Sequence, residues 1–559
     1  MSLFSYIILK WGVYMNVLIG NAWPYANGSL HIGHIAALLP GDILARYFRA
    51  KGDRVFFVSG SDCHGTPVAI RARQENKTPG EISDFYHNEF TECFNRLGFS
   101  YDLYGKTSSS EHKEFVKDFH RKLYDGGYVY EKSTPQAYCG KCGQFLPDRF
   151  VKGLCPHCGK PARGDQCEAC GSVLEPENLL NAECSICGET PEFRPANHLY
   201  LSLTRMKEEL EKYILSHSDW RKNAYEMSKR YIYDGLRDRS LTRDLDWGID
   251  VPKDGFEGKK IYIWAENVLG YLSDCHTLCL RQGIDFVEFW NSSRQYYVHG
   301  KDNIPFHTVI LPSLLLGRTD IRLKLPDEII SSEYLTLEGR KISTSGNWAV
   351  WVKDIIERYN PDSIRYFLIS NGPEKRDTDF TWREFINSHN GELLGAYGNF
   401  VNRSLVFIQK YFENNVPEAE CNPDITQGLK GLFTDTGALI EKGEFREALD
   451  KIFAFVRTAN KYFDDEQPWI TIKSNIEKCR ETLNTCVQII ANLSLLLEPF
   501  LPFSSAKVRK MLKMESAVWQ HTEINAGLSL NPVEILFERI DKKLIREEEE
   551  KLASQAKNR

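Results

Sequence analysis

Two histidines three positions apart, His31 and His34, follow a short loop that contains Gly28. Residues three apart on a helix share one face, so a helix starting here would place both imidazoles side by side. Gly33 between them has no Cβ to hold a phosphate away from the backbone. A helix N-terminus also offers unpaired N–H groups and the positive end of the helix dipole. The arrangement suits binding of a nucleoside triphosphate.

The elements around this pair have the order of a nucleotide-binding unit. A short apolar run, residues 17–19, ends at Gly20 and is followed by a mostly amphipathic segment from about residue 33 to residue 50. A second apolar run covers residues 55–58. The order strand, loop, helix, strand predicts the opening of a doubly wound parallel sheet, with a ligand at the carboxyl ends of its strands. We expect Pro40 to kink or restart the helix.

The cysteines are the second group with chemical potential. Eight of the 15 form four Cys-x-x-Cys pairs, and each pair is followed by glycine. In a zinc knuckle the turn after the second cysteine directs N–H groups at the thiolates, and glycine accepts the positive φ of that turn. Four repeats favour tetrahedral zinc sites over a redox motif, which usually stands alone. We predict two structural zinc ions bound by Cys139, Cys142, Cys155, Cys158, Cys167, Cys170, Cys184 and Cys187; the spacing leaves open which pairs share an ion.

Composition limits the class of protein. The chain has 559 residues, of which 42% are hydrophobic and 26% charged, so three or four globular domains are expected. The net charge of −6 does not by itself argue for nucleic acid. Residues 1–14 are interrupted by Lys10 and do not resemble a signal peptide, so Met15 is a candidate native start. Without a run of about 18 apolar residues, we predict no membrane span and a cytoplasmic location.

Further elements follow from periodicity and composition. We predict a helix over most of residues 107–130, an amphipathic helix over 199–219, and strands at 260–264 and near 296–298. From about residue 387 the pattern is helical, and the charged stretch 545–559 is predicted to be a solvated helix or frayed tail. Helix-face spacing places these apolar positions in the core: Phe445, Ala448, Leu449, Ile452, Val456, Ala459, Leu483, Cys486, Ile490, Leu493 and Leu497.

Two further passages make the chain resemble a class I aminoacyl-tRNA synthetase. They are PYANGS at residues 24–29 and SDCHGTP at residues 61–67, and among these enzymes the chain looks most like the methionyl-tRNA synthetases, from Met15 onward. The resemblance implies an α/β Rossmann-type catalytic domain, split by a zinc-knuckle insert, with a C-terminal all-α helical bundle. The expected divisions are an extension at 1–14, catalytic halves at 15–125 and 236–330, the insert at 126–235, a linker at 331–386 and the anticodon-binding bundle at 387–559.

The same resemblance implies a two-step reaction. Methionine and ATP would form methionyl adenylate and pyrophosphate, and the methionyl group would pass to the 3′ end of tRNA(Met). The substrate carboxylate, with a pKa of about 3.5, is already ionised, so the first step needs alignment and charge neutralisation rather than a general base. Magnesium is expected with ATP. The absence of a visible further C-terminal domain favours a monomer.

Residue roles are carried over from the resemblance. The segment Lys341-Ile342-Ser343-Thr344-Ser345 matches a second phosphate-binding loop, but Thr344 stands where a second lysine is usual. We expect Lys341, with Arg340, to supply the cation that meets pyrophosphate. The expected catalytic residues are His31, His34, Lys341, Ser343 and Ser345.

A methionine thioether calls for an aromatic pocket with few donors. The residues expected in that pocket are Ala22, Trp23, Tyr25, Trp264, Tyr271 and His307, with Asp62 holding the ammonium group. Trp23, Asn303 and Asn267-Val268 depart from the usual pattern and indicate a variant pocket. ATP is expected at Gly33, Gly300, Asp302 and Lys341, and the anticodon at Asn399, Arg403 and Trp469.

The resemblance also implies nested zinc sites, with Cys155, Cys158, Cys167 and Cys170 on one ion and the outer two pairs on the other. Sequential pairing is the alternative. Among other functions, isoleucyl, valyl and leucyl synthetases need a long editing domain, and the zinc of cysteinyl-tRNA synthetase lies in its active site. A nucleotidyltransferase explains neither the insert nor the helical end, and an RNA-binding knuckle protein leaves the histidine pair unused.

Overall fold

The computed structural model describes residues 15–557, except residues 148, 149, 165, 166, 168, 170–173 and 345. The expectations for residues 1–14, Cys170 and Ser345 therefore lie outside the described residues. None of the described helices has both the length and the apolar content needed to span a bilayer.

The nucleotide-binding half is a five-stranded parallel sheet. Val17 on the central strand pairs with Val55 on one side and Arg294 on the other, all strands running the same way. Three strands precede the insert and two follow it, so the predicted split of the Rossmann sheet is confirmed. From edge to edge the strands are Glu328–Ser332, Arg294–Gly300, Asn16–Asn21, Arg54–Ser61 and Leu103–Lys106.

The helix after the first strand, Ile32–Lys51, lies at the centre of the molecule. It runs through Pro40 as one helix, so a restart at that residue is wrong. Residues 38–45 are all buried, so the predicted amphipathic pattern is wrong over this stretch, although Arg46 and Arg49 further along are only partly buried. The reason is tertiary: the sheet covers one side, while the helices Pro361–Ser370 and Pro423–Glu441 pack on others. A helix covered on all sides has no need of a polar face.

The insert is built on a long antiparallel ribbon of Val129–Cys139 and Glu192–Leu201. The helix expected over 199–219 begins later than predicted, because residues 199–201 complete this ribbon opposite Val129–Glu131. Helices follow at Lys207–Leu215 and Lys222–Tyr233. The smaller strands of this region are Gln144–Phe145, Val151–Leu154, Pro161–Arg163, Leu180–Cys184 and Arg239–Ser240.

The strand expected at 260–264 is wrong beyond its first two residues. Only Lys260–Ile261 is extended, paired with Thr242–Arg243 outside the parallel sheet, and Ile263–Ala265 turns as a 3₁₀ helix. Residues 262–264 are apolar and aromatic because they lie beside a cavity, and not because they pair in a sheet. A short apolar run in a sequence does not distinguish these two environments.

Helices flank the sheet and lead into the bundle. Outside the insert, the α-helices between residues 66 and 388 are Thr66–Glu75, Pro79–Arg96, Ser110–Asp125, Gly270–Gln282, Phe286–Ser292, Leu311–Gly317, Val352–Arg358, Pro361–Ser370 and Trp382–Ser388. A small sheet joins Leu335–Leu337, Arg340–Lys341 and Thr378–Phe380. The bundle comprises Asn399–Tyr411, Pro423–Glu441, Phe445–Glu466, Pro468–Ser474, Ile476–Leu496, Pro502–Met511 and Lys543–Lys557.

The bundle confirms the predicted core positions, each of which is at most 1% exposed. The last helix, Lys543–Lys557, is not a frayed tail. Leu552 and Glu548 on it are buried, and Glu548 accepts a hydrogen bond from the Tyr359 hydroxyl at 2.9 Å. A few apolar side chains among many charges suffice to dock this helix.

Candidate active site

The carboxyl ends of the parallel strands open into a cavity of about 690 Å³. A ligand is expected at this edge of a doubly wound sheet. The cavity gathers residues that lie far apart in the chain. Of the predicted site residues, its wall contains Ala22, Trp23, Tyr25, His31, Gly33, His34, Asp62, Trp264, Tyr271, Gly300, Asp302, His307 and Lys341.

The two histidines stack at the start of the Ile32–Lys51 helix, with ring centroids 3.8 Å apart. Nδ1 of His34 accepts the backbone N–H of His31 at 3.1 Å, so the neutral ring carries its proton on Nε2. Burial lowers the pKa of His34 to about 4, and burial together with His34 lowers that of His31 well below 6.5. Both imidazoles are therefore neutral hydrogen-bonding groups at pH 7.

Gly33 lies where a side chain would be tightly packed and would need its neighbours to shift by a few tenths of an ångström. A Cβ at this position would lie 3.0 Å from the His31 ring and 3.3 Å from Cδ1 of Ile342. The absence of a side chain lets Ile342 approach the histidine pair closely; the predicted approach of a phosphate to Gly33 stays a prediction.

The segment that follows the Lys341–Ser345 sequence pairs directly with the segment that carries His31. The Ile32 N–H donates to the Val350 carbonyl at 3.0 Å, and the Val352 N–H donates to that of Leu30 at 2.8 Å. Within the loop, Ser343 and Trp348 exchange backbone hydrogen bonds of 2.9 Å. Main-chain bonds thus hold together the two segments that the sequence predicts to contact phosphates.

Side chains of this loop divide between the cavity and its outer surface. Lys341 and Thr344 line the cavity, and Lys341 is exposed. The Arg340 guanidinium instead lies 4.8 Å from the centre of the Trp348 ring. The Ser343 hydroxyl accepts the Gly346 N–H at 2.9 Å, and Ser343 is not part of the cavity wall.

One end of the cavity is aromatic. Trp264 stacks on Phe306 with ring centroids 3.6 Å apart, and Tyr25 meets Trp264 edge-on at 6.2 Å. His307 Nδ1 donates to the Asn303 carbonyl at 2.9 Å, which leaves Nε2 to accept the Tyr271 hydroxyl at 2.8 Å. Burial lowers the pKa of His307 to about 4, so its ring is neutral.

Asp62 adds a carboxylate to this aromatic end. It is 1% exposed, and it forms an isolated parallel bridge with Tyr25. Burial, and after it the negative charge of Glu266, raises the pKa of Asp62 well above 3.8. A cationic ligand beside Asp62 would favour its ionised form.

The cavity wall also contains Glu333, Tyr334 and Asp377, which the sequence did not indicate, and Lys301 pairs with two of them. Lys301 Nζ donates to Glu333 at 2.6 Å and to Asp377 at 2.9 Å. The Tyr334 hydroxyl donates to Asp302. No sequence motif includes Glu333, Tyr334 or Asp377, and only their position beside the sheet edge brings them to the cavity. For Lys301, the one signal in the sequence was that it directly precedes Asp302.

The cysteines of the insert form two separate clusters. The sulfurs of Cys139, Cys142, Cys184 and Cys187 all lie within 4.8 Å of one another, as do those of Cys155, Cys158 and Cys167. This grouping is the nested one, and it contradicts sequential pairing.

The geometry of both clusters fits a metal ion. Sγ–Sγ distances of 3.4 Å for Cys139–Cys187 and 3.9 Å for Cys142–Cys184 are too long for disulfides. They match the edge of a tetrahedron, about 3.8 Å, that follows from Zn–S bonds of about 2.3 Å. The glycines Gly143, Gly159 and Gly188 have φ between 66° and 78°, as the knuckle turn predicts. Each of these clusters could hold a metal ion.

The predicted anticodon residues lie on the bundle. Asn399 and Arg403 are one turn apart on the Asn399–Tyr411 helix, and Asn399 is exposed. The Arg403 guanidinium lies 4.3 Å from the centre of the Phe463 ring, which is 6.0 Å from that of Trp469. Trp469 is 46% exposed, which excludes a core tryptophan. The buried Phe463 ring lies between Arg403 and Trp469. The sequence did not single it out, because its helical spacing is that of an ordinary core residue.

The parallel sheet, the histidine pair at its carboxyl edge and the lysine loop bonded to it define a class I aminoacyl-tRNA synthetase. The family model described as tRNA synthetases class I (M) matches residues 17–405. The model of the anticodon binding domain of methionyl tRNA ligase matches residues 416–557.

Relatives extend this likeness over nearly the whole chain. A methionine–tRNA ligase 1 of Alkaliphilus oremlandii is 53% identical over 96% of this chain and 100% of its own. A methionine–tRNA ligase of Bacillus cereus strain G9842 is 53% identical over 97% and 100%. The chain belongs to the methionyl-tRNA synthetase family of class I.

A solved structure shares the fold. The Mycobacterium tuberculosis methionyl-tRNA synthetase in complex with methionyl-adenylate superposes with a TM-score of 0.79 at 22% identity, covering 94% of this chain and 99% of that one.

Proposed function

We propose that this protein is a methionine–tRNA ligase, which activates methionine with ATP and then transfers the methionyl group to the 3′ end of tRNA(Met). The observation that carries the proposal is the single cavity that joins an aromatic end with a buried carboxylate to an end with paired histidines and a lysine. The first set fits an amino acid with an apolar, polarizable side chain, and the second fits the phosphates of ATP.

In the activation step, the methionine carboxylate attacks the α-phosphorus of ATP, a P–O bond forms, and pyrophosphate leaves. The neutral rings of His31 and His34 donate hydrogen bonds to the phosphate oxygens, and Lys341 neutralises charge that grows on the leaving group. Magnesium bound with ATP would supply further neutralisation of the phosphate charge. Gly33, Gly300 and Asp302 receive the nucleotide, while Ser343 keeps the loop closed.

Methionine is held at the aromatic end of the cavity. Asp62 binds the ammonium group, which orients the carboxylate toward ATP. Trp264 and Tyr271 enclose the thioether, with His307 holding the Tyr271 hydroxyl. The remaining wall is formed by Ala22, Trp23 and Tyr25. Because a thioether is only a weak acceptor, selectivity comes mainly from shape and aromatic contact.

The bundle selects the tRNA. Asn399 and Arg403 hydrogen-bond unpaired anticodon bases, and the exposed ring of Trp469 stacks on one of them. We assign zinc to the two cysteine clusters as closed structural sites, with Cys170 and Ser345 completing the knuckle and loop motifs of the sequence. We further propose that the protein acts in the cytoplasm as a monomer and has the domain divisions given above.

Methionine-dependent exchange of labelled pyrophosphate into ATP tests the proposal directly. The purified protein should catalyse exchange with methionine and not with isoleucine, valine, leucine or cysteine. Preference for one of those amino acids, or no exchange with any of them, would contradict it.

A further inference from the structure

Behind the aromatic end of the cavity lies a buried pair that none of the assigned roles uses. His64 is 1% exposed and Glu266 is fully buried. Nδ1–H of His64 donates to the Glu266 carboxylate at 2.5 Å. The two residues are 202 positions apart, so the bond joins segments that the chain itself does not connect.

Each partner stands next to a group that faces the cavity. The backbone N–H of His64, and not its ring, donates to Oδ1 of Asp62 at 3.4 Å. Glu266 directly precedes Asn267, which lines the cavity and whose side chain lies near Asp62 and opposes the rise in the pKa of that carboxyl. The pair therefore closes a small ring of contacts, from Asp62 through His64 and Glu266 to Asn267 and back.

The surroundings leave the pair little freedom. The Trp247 ring meets His64 edge-on at 5.2 Å, and its Nε1 donates to the Cys63 carbonyl at 2.7 Å. On the other side, His112 Nε2 lies 3.9 Å from Glu266, while its Nδ1 is held by the Ser273 hydroxyl at 2.9 Å. Buried hydrogen-bonded groups of this kind fix geometry because leaving either partner unpaired is costly.

We infer that the His64–Glu266 pair positions the Asp62 carboxylate for the substrate ammonium group, with Glu266 as a positioning residue for amino-acid binding. The inference rests on the proposed role of Asp62. Asp62 lies on the segment after the Arg54–Ser61 strand, whereas Asn267 belongs to the 3₁₀ turn that follows Trp264. The Asp62 main chain is held separately by Pro24 and Ala26, so without the pair it is the direct link between these two segments that is lost, and with it the fixed distance of the carboxylate from Asn267.

The test compares steady-state pyrophosphate exchange in Glu266→Ala, Glu266→Gln and the wild type. Loss of a hydrogen bond to a charged buried group predicts a rise of about 10- to 100-fold in the KM for methionine in Glu266→Ala, with the KM for ATP unchanged. Glu266→Gln should recover most of the loss, because its amide oxygen still accepts the His64 N–H. If Glu266→Ala fails to fold, His64→Leu, which has no N–H to donate to Glu266, should show the same selective loss.

Two further measurements separate positioning from general damage to the pocket. Inhibition by 4-(methylthio)butanoic acid, which lacks the ammonium group, should be unchanged in Glu266→Ala. In an Asp62→Asn background, Glu266→Ala should have little further effect on methionine binding, since the two changes act through the same contact.

The matched control is Asp274→Asn, a change at another buried carboxylate, which packs against Gly105 and does not line the cavity. It should leave the KM for methionine unchanged. An unchanged methionine KM in Glu266→Ala, or equal weakening of methionine and the deamino analogue, would overturn the inference. Failure of the proposed function would look different, because the wild type itself would then show no methionine-dependent exchange.

Discussion

At the scale of single residues, Lys341 is predicted to carry most of the cationic charge that the loop brings to pyrophosphate. Lys341→Ala should reduce kcat for pyrophosphate exchange by about 100- to 1,000-fold, with little change in the KM for methionine, because the lost charge acts mainly in the transition state. Arg340→Ala is the matched control, since its guanidinium stacks on Trp348. A larger loss from Arg340→Ala than from Lys341→Ala would contradict this division.

The residues that sequence predicts best are those whose chemistry depends on local spacing. The histidine pair meets at 3.8 Å because three residues are one turn of helix, and the glycines after the cysteines take positive φ because the knuckle turn requires it. His307 is different. It lies in a π-helical turn, Phe306–Ile310, and no local pattern predicts that a π turn will direct its ring at Tyr271. The contact between His64 and Glu266 likewise depends on the complete fold.

At the scale of elements, the knuckle clusters predict a specific zinc stoichiometry. Cys139→Ser together with Cys184→Ser changes two ligands of one cluster and none of the other. The purified variant should retain one zinc ion per chain where the wild type has two, as measured by elemental analysis. Thiolate is the ligand that zinc requires, and serine replaces it poorly.

Cys275→Ser is the control for this experiment, because Cys275 is buried in a helix outside both clusters and should leave two ions. Loss of both ions in the double variant would show that the clusters depend on each other. The first cluster also shows a limit of prediction from sequence. Its cysteines, 42 to 48 residues apart, come together through the antiparallel ribbon, and the periodicity of the sequence does not reveal the register of that ribbon.

Because the predicted anticodon residues lie on the bundle, a substitution there should affect tRNA charging without affecting methionine activation. Arg403→Ala should raise the KM for tRNA in aminoacylation by about 10-fold or more while pyrophosphate exchange stays unchanged, because the guanidinium lies on the bundle and does not line the cavity. Lys410→Ala, further along the same helix, provides a matched loss of positive charge. Equal effects of the two substitutions would indicate general electrostatic attraction instead of recognition by Arg403.

At the scale of the whole molecule, buried charges join the catalytic half to the bundle. Asp42, on the helix that begins beside His31, pairs with Arg46 at 2.9 Å and with Arg365 at 2.7 Å. Arg46 also pairs, at 2.9 Å, with Glu498, which lies just after the Ile476–Leu496 helix of the bundle. Sequence could not reveal this connection, since its members are isolated charged residues up to 452 positions apart. It places the catalytic helix and the bundle in one connected structure.

Removing the central charge should therefore destabilise the whole protein. Asp42→Asn leaves Arg365 buried without its carboxylate, and the expected loss is about 3–5 kcal/mol of unfolding free energy, measured by denaturant unfolding at pH 7. Asp118→Asn, at an exposed pair with Lys122, is the control and should cost no more than about 1 kcal/mol. Equal losses in the two variants would mean that the buried network adds no more than a surface pair.

The same carboxylate predicts how stability changes with acid. Burial alone would raise the pKa of Asp42, but Arg46 and Arg365 outweigh it and lower the pKa to about 2. An aspartate in the unfolded chain has a pKa of about 3.9. The stabilisation of the folded protein by ionised Asp42 is therefore complete above that pH and is lost as the pH falls toward 2. The difference in unfolding free energy between wild type and Asp42→Asn should accordingly be constant from pH 7 to about 5 and shrink below about 4. A difference that grew on acidification would require a protonated Asp42 in the folded protein at neutral pH, contrary to its two arginine partners.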